Sequence, residues 1–165
     1  QKEFNIILSD LQLRLNAPAS IEVRVIASLG AAATKLTSNV MRFNVTPFAP
    51  PPKVPIPTMG TLWIIGDAVA SGWNNPLPAP FVTTQKFTKV TDTQYELVVA
   101  LKSGAYKLIQ ENGVWGTQYH MVEGTAAGGT FEKKDADPAF PGPGTAGNYK
   151  IVVDFQTGKF TVTKQ

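Results

Sequence analysis

Six prolines fall within eleven residues in the run Pro47-Phe48-Ala49-Pro50-Pro51-Pro52-Lys53-Val54-Pro55-Ile56-Pro57. Each proline lacks a backbone N–H and holds φ near −65°, so the run can build neither a helix nor a central strand. It favours an extended, polyproline-type spacer, with a proline-rich edge strand as the alternative. Read as a spacer, it divides the 165-residue chain into a short module (residues 1–48), a linker (49–57) and a larger module (58–165).

Strand patterns dominate both modules. In the first, Ile21, Val23 and Val25 alternate with polar positions, and residues 39–46 alternate again, which predicts two half-buried strands. Ser9 is a candidate N-cap for a helical turn that buries Leu11 and Leu15. So few elements make a thin core, as if this were the tail end of a β-sandwich whose earlier strands lie upstream. The chain opens at Gln1 without Met or a leader, which predicts a processed or truncated piece.

In the second module, Thr61-Leu62-Trp63-Ile64-Ile65 is a short apolar run, and Tyr95, Leu97, Val99 and Leu101 share one strand face. Residues 149–155 and 159–163 flank Gln156-Thr157-Gly158, a hairpin signal. Strands spaced about 8–12 residues apart predict an antiparallel β-sandwich. Residues 71–80 and 124–147 read as long loops, where function concentrates. No long 3.6-residue apolar period supports a helical bundle.

Composition removes whole classes of chemistry. With no cysteine, the chain has no disulfides, thiol nucleophile, zinc ribbon or iron–sulfur cluster. His120 is the only histidine, so no metal site and no cofactor are expected, apart from weak calcium binding in the loop of Asp135 and Asp137. No stretch approaches the ~18 consecutive apolar residues of a membrane span. The net charge of +3 comes from dispersed lysines and three arginines, Arg14, Arg24 and Arg42. The one adjacent basic pair, Lys133-Lys134, is answered by Asp135 and Asp137, so no nucleic-acid stripe forms.

Gly142-Pro143-Gly144-Thr145-Ala146-Gly147 matches the spelling of a dinucleotide fingerprint. That motif must follow a strand and open a helix; here prolines interrupt it and a strand follows, so it is a loop. A serine triad would have to use His120, and no Gly-x-Ser-x-Gly elbow is present. Carboxylates such as Asp67, Glu111, Glu123 and Asp135 offer a glycosidase no recognisable pair. No catalytic residue is expected.

The tryptophans say more. Trp63 sits inside an apolar strand, whereas Trp73 and Trp115 sit in polar, glycine-flanked loops. An indole there can stack on the apolar C–H face of a sugar, with nearby Lys or Asn side chains bonding its hydroxyls. Each ring can equally be a contact that anchors its own loop. Lys107 alternates out of phase with Tyr106 and Leu108, which places it on the opposite face of its strand.

The runs Thr61-Leu62-Trp63-Ile64-Ile65-Gly66-Asp67-Ala68-Val69-Ala70-Ser71-Gly72-Trp73-Asn74, Leu101-Lys102-Ser103-Gly104-Ala105-Tyr106-Lys107-Leu108 and Trp115-Gly116-Thr117-Gln118-Tyr119 occur in that order. Together with Gly147-Asn148-Tyr149-Lys150-Ile151-Val152-Val153-Asp154-Phe155, they resemble the starch-binding modules of the SusE/SusF family of Bacteroidetes surface lipoproteins. Residues 21–28 and 38–48 resemble the end of that family's N-terminal immunoglobulin-like domain.

The resemblance implies an all-β protein: an immunoglobulin-like, starch-binding β-sandwich over 58–165, preceded by part of a second immunoglobulin-like domain. It implies no catalysis. It implies binding of polysaccharide, starch-like α-glucan above all, at an outer membrane reached through a lipid anchor outside this chain, beside glycan-uptake proteins. The glycan-binding residues it points to are Trp73, Lys107 and Trp115, with Asn74 and Tyr119 beside them. A structural or protein-interaction module, with both tryptophans in the core, is the other reading. Tyr106 and Leu108 stand where that family usually has phenylalanine, and the chain has room for one complete module where tandem copies are usual.

Overall fold

A computed structural model describes residues 2–28 and 34–165. The chain forms two compact units, Gln1–Pro51 and Pro52–Gln165.

In the first unit, α1 (Lys2–Asp10) precedes β1 (Ala19–Val23), β2 (Ile26–Ala27), β3 (Leu36–Thr37) and β4 (Met41–Val45). β1 pairs antiparallel with β4, setting Glu22 opposite Arg42 in a 2.8 Å ion pair, and β2 pairs with β3. The helix is not the one expected. It begins at Lys2, so Ser9 lies in its last turn rather than at its start. Gln12, with φ 54°, is left-handed and ends it, which leaves Leu11 and Leu15 exposed. Instead the helix buries Leu8 and Asn5; the Asn5 amide donates to the Phe48 carbonyl at 2.8 Å and accepts from the Phe48 N–H at 3.1 Å. The half-buried strand pattern is also weaker than expected, since Val23, Met41 and Phe43 are exposed.

The second unit is an antiparallel β-sandwich. Its elements are β5 (Trp63–Ile65), α2 (Phe81–Thr84), β6 (Thr88–Lys89), β7 (Gln94–Leu101), β8 (Ala105–Ile109), β9 (Gln118–Thr125), β10 (Gly128–Lys133), β11 (Phe140–Pro141), β12 (Gly147–Asp154) and β13 (Lys159–Lys164). They pair in the order β11-β8-β9-β10-β13-β12-β7-β6, with β5 also on β8. The chain just before β6 then pairs with β5, through Ile64 N–H to Gln85 O at 3.1 Å and Phe87 N–H to Leu62 O at 2.9 Å. The curled sheet thus returns to its own start, which leaves few edge groups unpaired.

Alternation drives this packing. Tyr95, Leu97 and Leu101 of β7 point into the core, as do Tyr149, Ile151 and Val153 of β12 and Phe160 and Val162 of β13. Phe155 closes the β12–β13 turn at the centre of an aromatic cluster, edge-on to Tyr95, Tyr119 and Phe131 at 5.4, 5.2 and 5.2 Å. Tyr106 stacks on Phe140 at 5.3 Å.

Two sequence expectations change here. Much of 124–147, read as a loop, is strand: β9 and β10 form a hairpin in which Gly129 faces Gly124. A Cβ on Gly129 would collide with the Glu123 carbonyl, so these glycines permit close strand approach rather than marking a loop. The proline run is also not uniform. Lys53 and Val54 donate their N–H groups to Gln156 O and Phe155 O at 3.3 and 3.2 Å, and Val54 is buried. That half is hydrogen-bonded to the rest of the second unit without forming a strand.

Candidate functional site

β5 has two useful faces. Leu62 and Ile64 enter the main core, while Trp63 and Ile65 face outward, where Ile65 meets Leu77 and Ile109 in a second small core flanked by Trp63, Phe81 and Val82. The Trp63 indole N–H donates to the Val82 carbonyl at 2.9 Å, and the Lys86 ammonium lies 5.2 Å above its ring. Trp63 is a packing residue, as its apolar strand suggested.

The chain leaves β5 through a tight loop. Gly66 N–H donates to Gly72 O at 2.9 Å, and the Asp67 carboxylate accepts the Ala105 N–H at 2.6 Å. Gly66 has φ 144°, and a Cβ there would collide with the Ala105 carbonyl, so glycine alone fits. Buried Gln85 fixes the next residues: its Oε1 accepts the Ser71 N–H at 3.1 Å, and its Nε2 donates to Ile64 O and Ser71 Oγ at 2.8 Å each. The Asn74 amide donates to Ser71 O at 2.6 Å. The result presents Trp73 outward at 42% exposure.

Trp115 arrives from the β8–β9 connection, in a single 3-10 turn over Trp115–Thr117, and is 38% exposed. The two rings lie with centroids 6.4 Å apart and planes 39° from each other. Forty-two positions apart in sequence, they form one exposed aromatic edge. The cross-links that bring these loops together are Asn75 Oδ1, accepting the Gly113 N–H at 2.6 Å, and Asn112 Oδ1, accepting the Leu77 N–H at 2.7 Å. Sequence reasoning missed Gln85, Asn75 and Asn112; the density of Asn in two turn-rich loops was the available signal.

Two expected site residues are corrected. Tyr119 is fully buried, and its hydroxyl donates to Pro55 O at 2.9 Å, so it belongs to the core. Burial, and then the charge of Tyr95, push its phenol well above the ordinary range. Lys107 does face away from Tyr106, but its side chain is only 11% exposed; Nζ donates to Ala136 O at 2.8 Å and pairs with Asp137 at 3.1 Å. It is committed to the segment after β10, at Ala136 and Asp137. That segment also receives a hydrogen bond from Gln118 onto Asp135, so both acids proposed for calcium already have protein partners. His120 is buried with Nε2 2.9 Å from Glu132 Oε1. Among the described residues, no three His, Cys, Asp or Glu side chains group as a metal site, and no helix is long and apolar enough to cross a membrane.

The fold and this edge define an antiparallel β-sandwich presenting a paired-tryptophan surface. No protein-family model matches the chain, and no curated protein matches it. Among solved structures, the chain is similar to SusF from Bacteroides thetaiotaomicron, at 16% sequence identity and a TM-score of 0.49. The match covers 98% of this chain and 36% of that one, so the chain spans little more than a third of its length.

Proposed function

We propose that this protein binds glycan without catalysis, at the edge formed by Trp73 and Trp115, and that its ligand is a starch-like α-glucan. The observation that carries the reading is the ring pair: two indoles, 42% and 38% exposed, 6.4 Å apart. An exposed aromatic pair on a soluble surface is costly unless something covers it, and rigid rings order at small entropic cost when a ligand does. The C–H faces of consecutive sugars offer matching apolar surfaces, each stack contributing roughly 1–2 kcal/mol. Asn74, exposed beside Trp73, keeps its amide oxygen as an acceptor for a sugar hydroxyl.

The choice of α-glucan, a place at the outer-membrane surface through a lipid anchor, and glycan-uptake partners rest on the sequence resemblance to the SusE/SusF family. A glycan array followed by affinity electrophoresis in soluble glucans tests the reading. Retention by α-glucan supports it; binding to another polysaccharide alone corrects the ligand; binding to none, with the protein folded, refutes it.

A further inference from the structure

The two loops that carry the rings are anchored unequally. The Trp73 loop is fixed to the body of the sandwich by Gln85, which bonds both Ser71 and Ile64, and by Asp67, which accepts the Ala105 N–H. The 111–114 turn leading to Trp115 is held mostly by itself, through Val114 N–H to Glu111 O at 3.2 Å and Thr117 Oγ to Val114 O at 3.3 Å. Among the described residues, its hydrogen bonds to other elements are the two asparagine links: Asn75 Oδ1 to the Gly113 N–H and Asn112 Oδ1 to the Leu77 N–H. The links are reciprocal, each loop supplying one side chain and one backbone donor. Leu77 is buried against Ile65 and Ile109, so the second link ties the turn to a fixed point.

We propose that Asn75 and Asn112 are positioning residues that hold the 111–114 turn against the Trp73 loop and so set the separation and tilt of the Trp73–Trp115 pair before ligand arrives. The proposal rests on the glycan reading only for its functional consequence; the geometry it asserts exists without ligand. Preorganisation of this kind raises affinity by removing the ordering cost from the binding step. Neither asparagine need touch sugar. Among the described residues the buried Asn75 Nδ2 has no hydrogen-bond partner, so the side chain's one hydrogen bond there is the link itself.

The test uses the ligand-free protein first. Two indoles at this separation give an exciton couplet in far-ultraviolet circular dichroism, and Trp73→Phe supplies the uncoupled reference. Asn112→Ala and Asn75→Ala should each reduce the couplet at least about twofold and weaken α-glucan retention about fivefold, the worth of one modest hydrogen bond. Asn112→Asp, which keeps the acceptor oxygen, should restore both. Couplets equal to wild type in both alanine variants overturn the proposal, and so does the absence of a couplet in wild type. If one alanine variant fails to fold, the other decides; if both fail, the residues are structural and the proposal falls. A wild type with a couplet but no glucan retention removes the glycan reading alone, and the couplet still judges the clamp.

Discussion

Replacing Gln85 with leucine keeps the bulk of a buried side chain while removing the anchor of the Trp73 loop. In the native protein its amide satisfies the Ser71 N–H at 3.1 Å and donates to Ile64 O and Ser71 Oγ at 2.8 Å. Leucine satisfies none of these. Ser71 is buried, so its N–H would be left without water or protein, while its hydroxyl keeps its bond to Gly72 O. A buried group stranded in this way costs roughly 1–3 kcal/mol, and the further lost bonds bring the expected destabilisation to about 2–4 kcal/mol. For a unit of this size that lowers the unfolding midpoint by roughly 8–15 °C. Tryptophan emission is the right assay, because Trp63, Trp73 and Trp115 all lie in the second unit. Gln85→Glu should fare no better, since it replaces the donor facing two oxygens with a third acceptor. A Gln85→Leu midpoint within 2 °C of wild type would refute the reasoning, because such a loop cannot hang on bonds worth nothing.

Three further outcomes follow from the core. Phe155→Ala empties the centre of the aromatic cluster and should cost about 3–5 kcal/mol, measured by urea unfolding. Tyr119→Phe removes the hydroxyl bond to Pro55 O and should cost about 1 kcal/mol while leaving glucan retention unchanged; a loss of retention in the folded variant would return Tyr119 to the site. Tyr106 and Tyr119 have phenols raised by burial, so the folded protein keeps protons that the unfolded chain loses above about pH 10. Their contribution is whole below that pH and is lost progressively as the pH rises above it, and a pH series of unfolding midpoints reads the loss directly.

The sandwich was legible because its strands obey a period of two. β7, β12 and β13 alternate cleanly, and Gln156-Thr157-Gly158 joins the last pair as its composition predicts. Trp73 and Trp115 stood out because no apolar strand explained them. What the sequence did not show depended on a second layer. Gln118, Tyr119 and His120 are consecutive and all buried, which alternation never predicts; on the outward face Gln118 is bonded to Asp135 from the segment after β10 and His120 to Glu132, so that face is covered at these positions as well. The same cover took Lys107 out of the candidate site. Gly124 and Gly129 misled in the opposite direction, because close strand approach and loop flexibility call for the same residue. The α1 boundary was set by the left-handed Gln12 and the Asn5 bonds to Phe48, neither of which a local apolar period reveals.

The central claim is that the exposed tryptophan pair binds glycan. The direct measurement is affinity electrophoresis of wild type, Trp73→Ala and Trp115→Ala through gels with and without soluble α-glucan, with circular dichroism confirming each fold. The account predicts retarded wild type and, for each variant, binding weakened roughly tenfold, the equivalent of one lost ring stack. Unretarded wild type, or folded variants retarded as strongly as wild type, would contradict it.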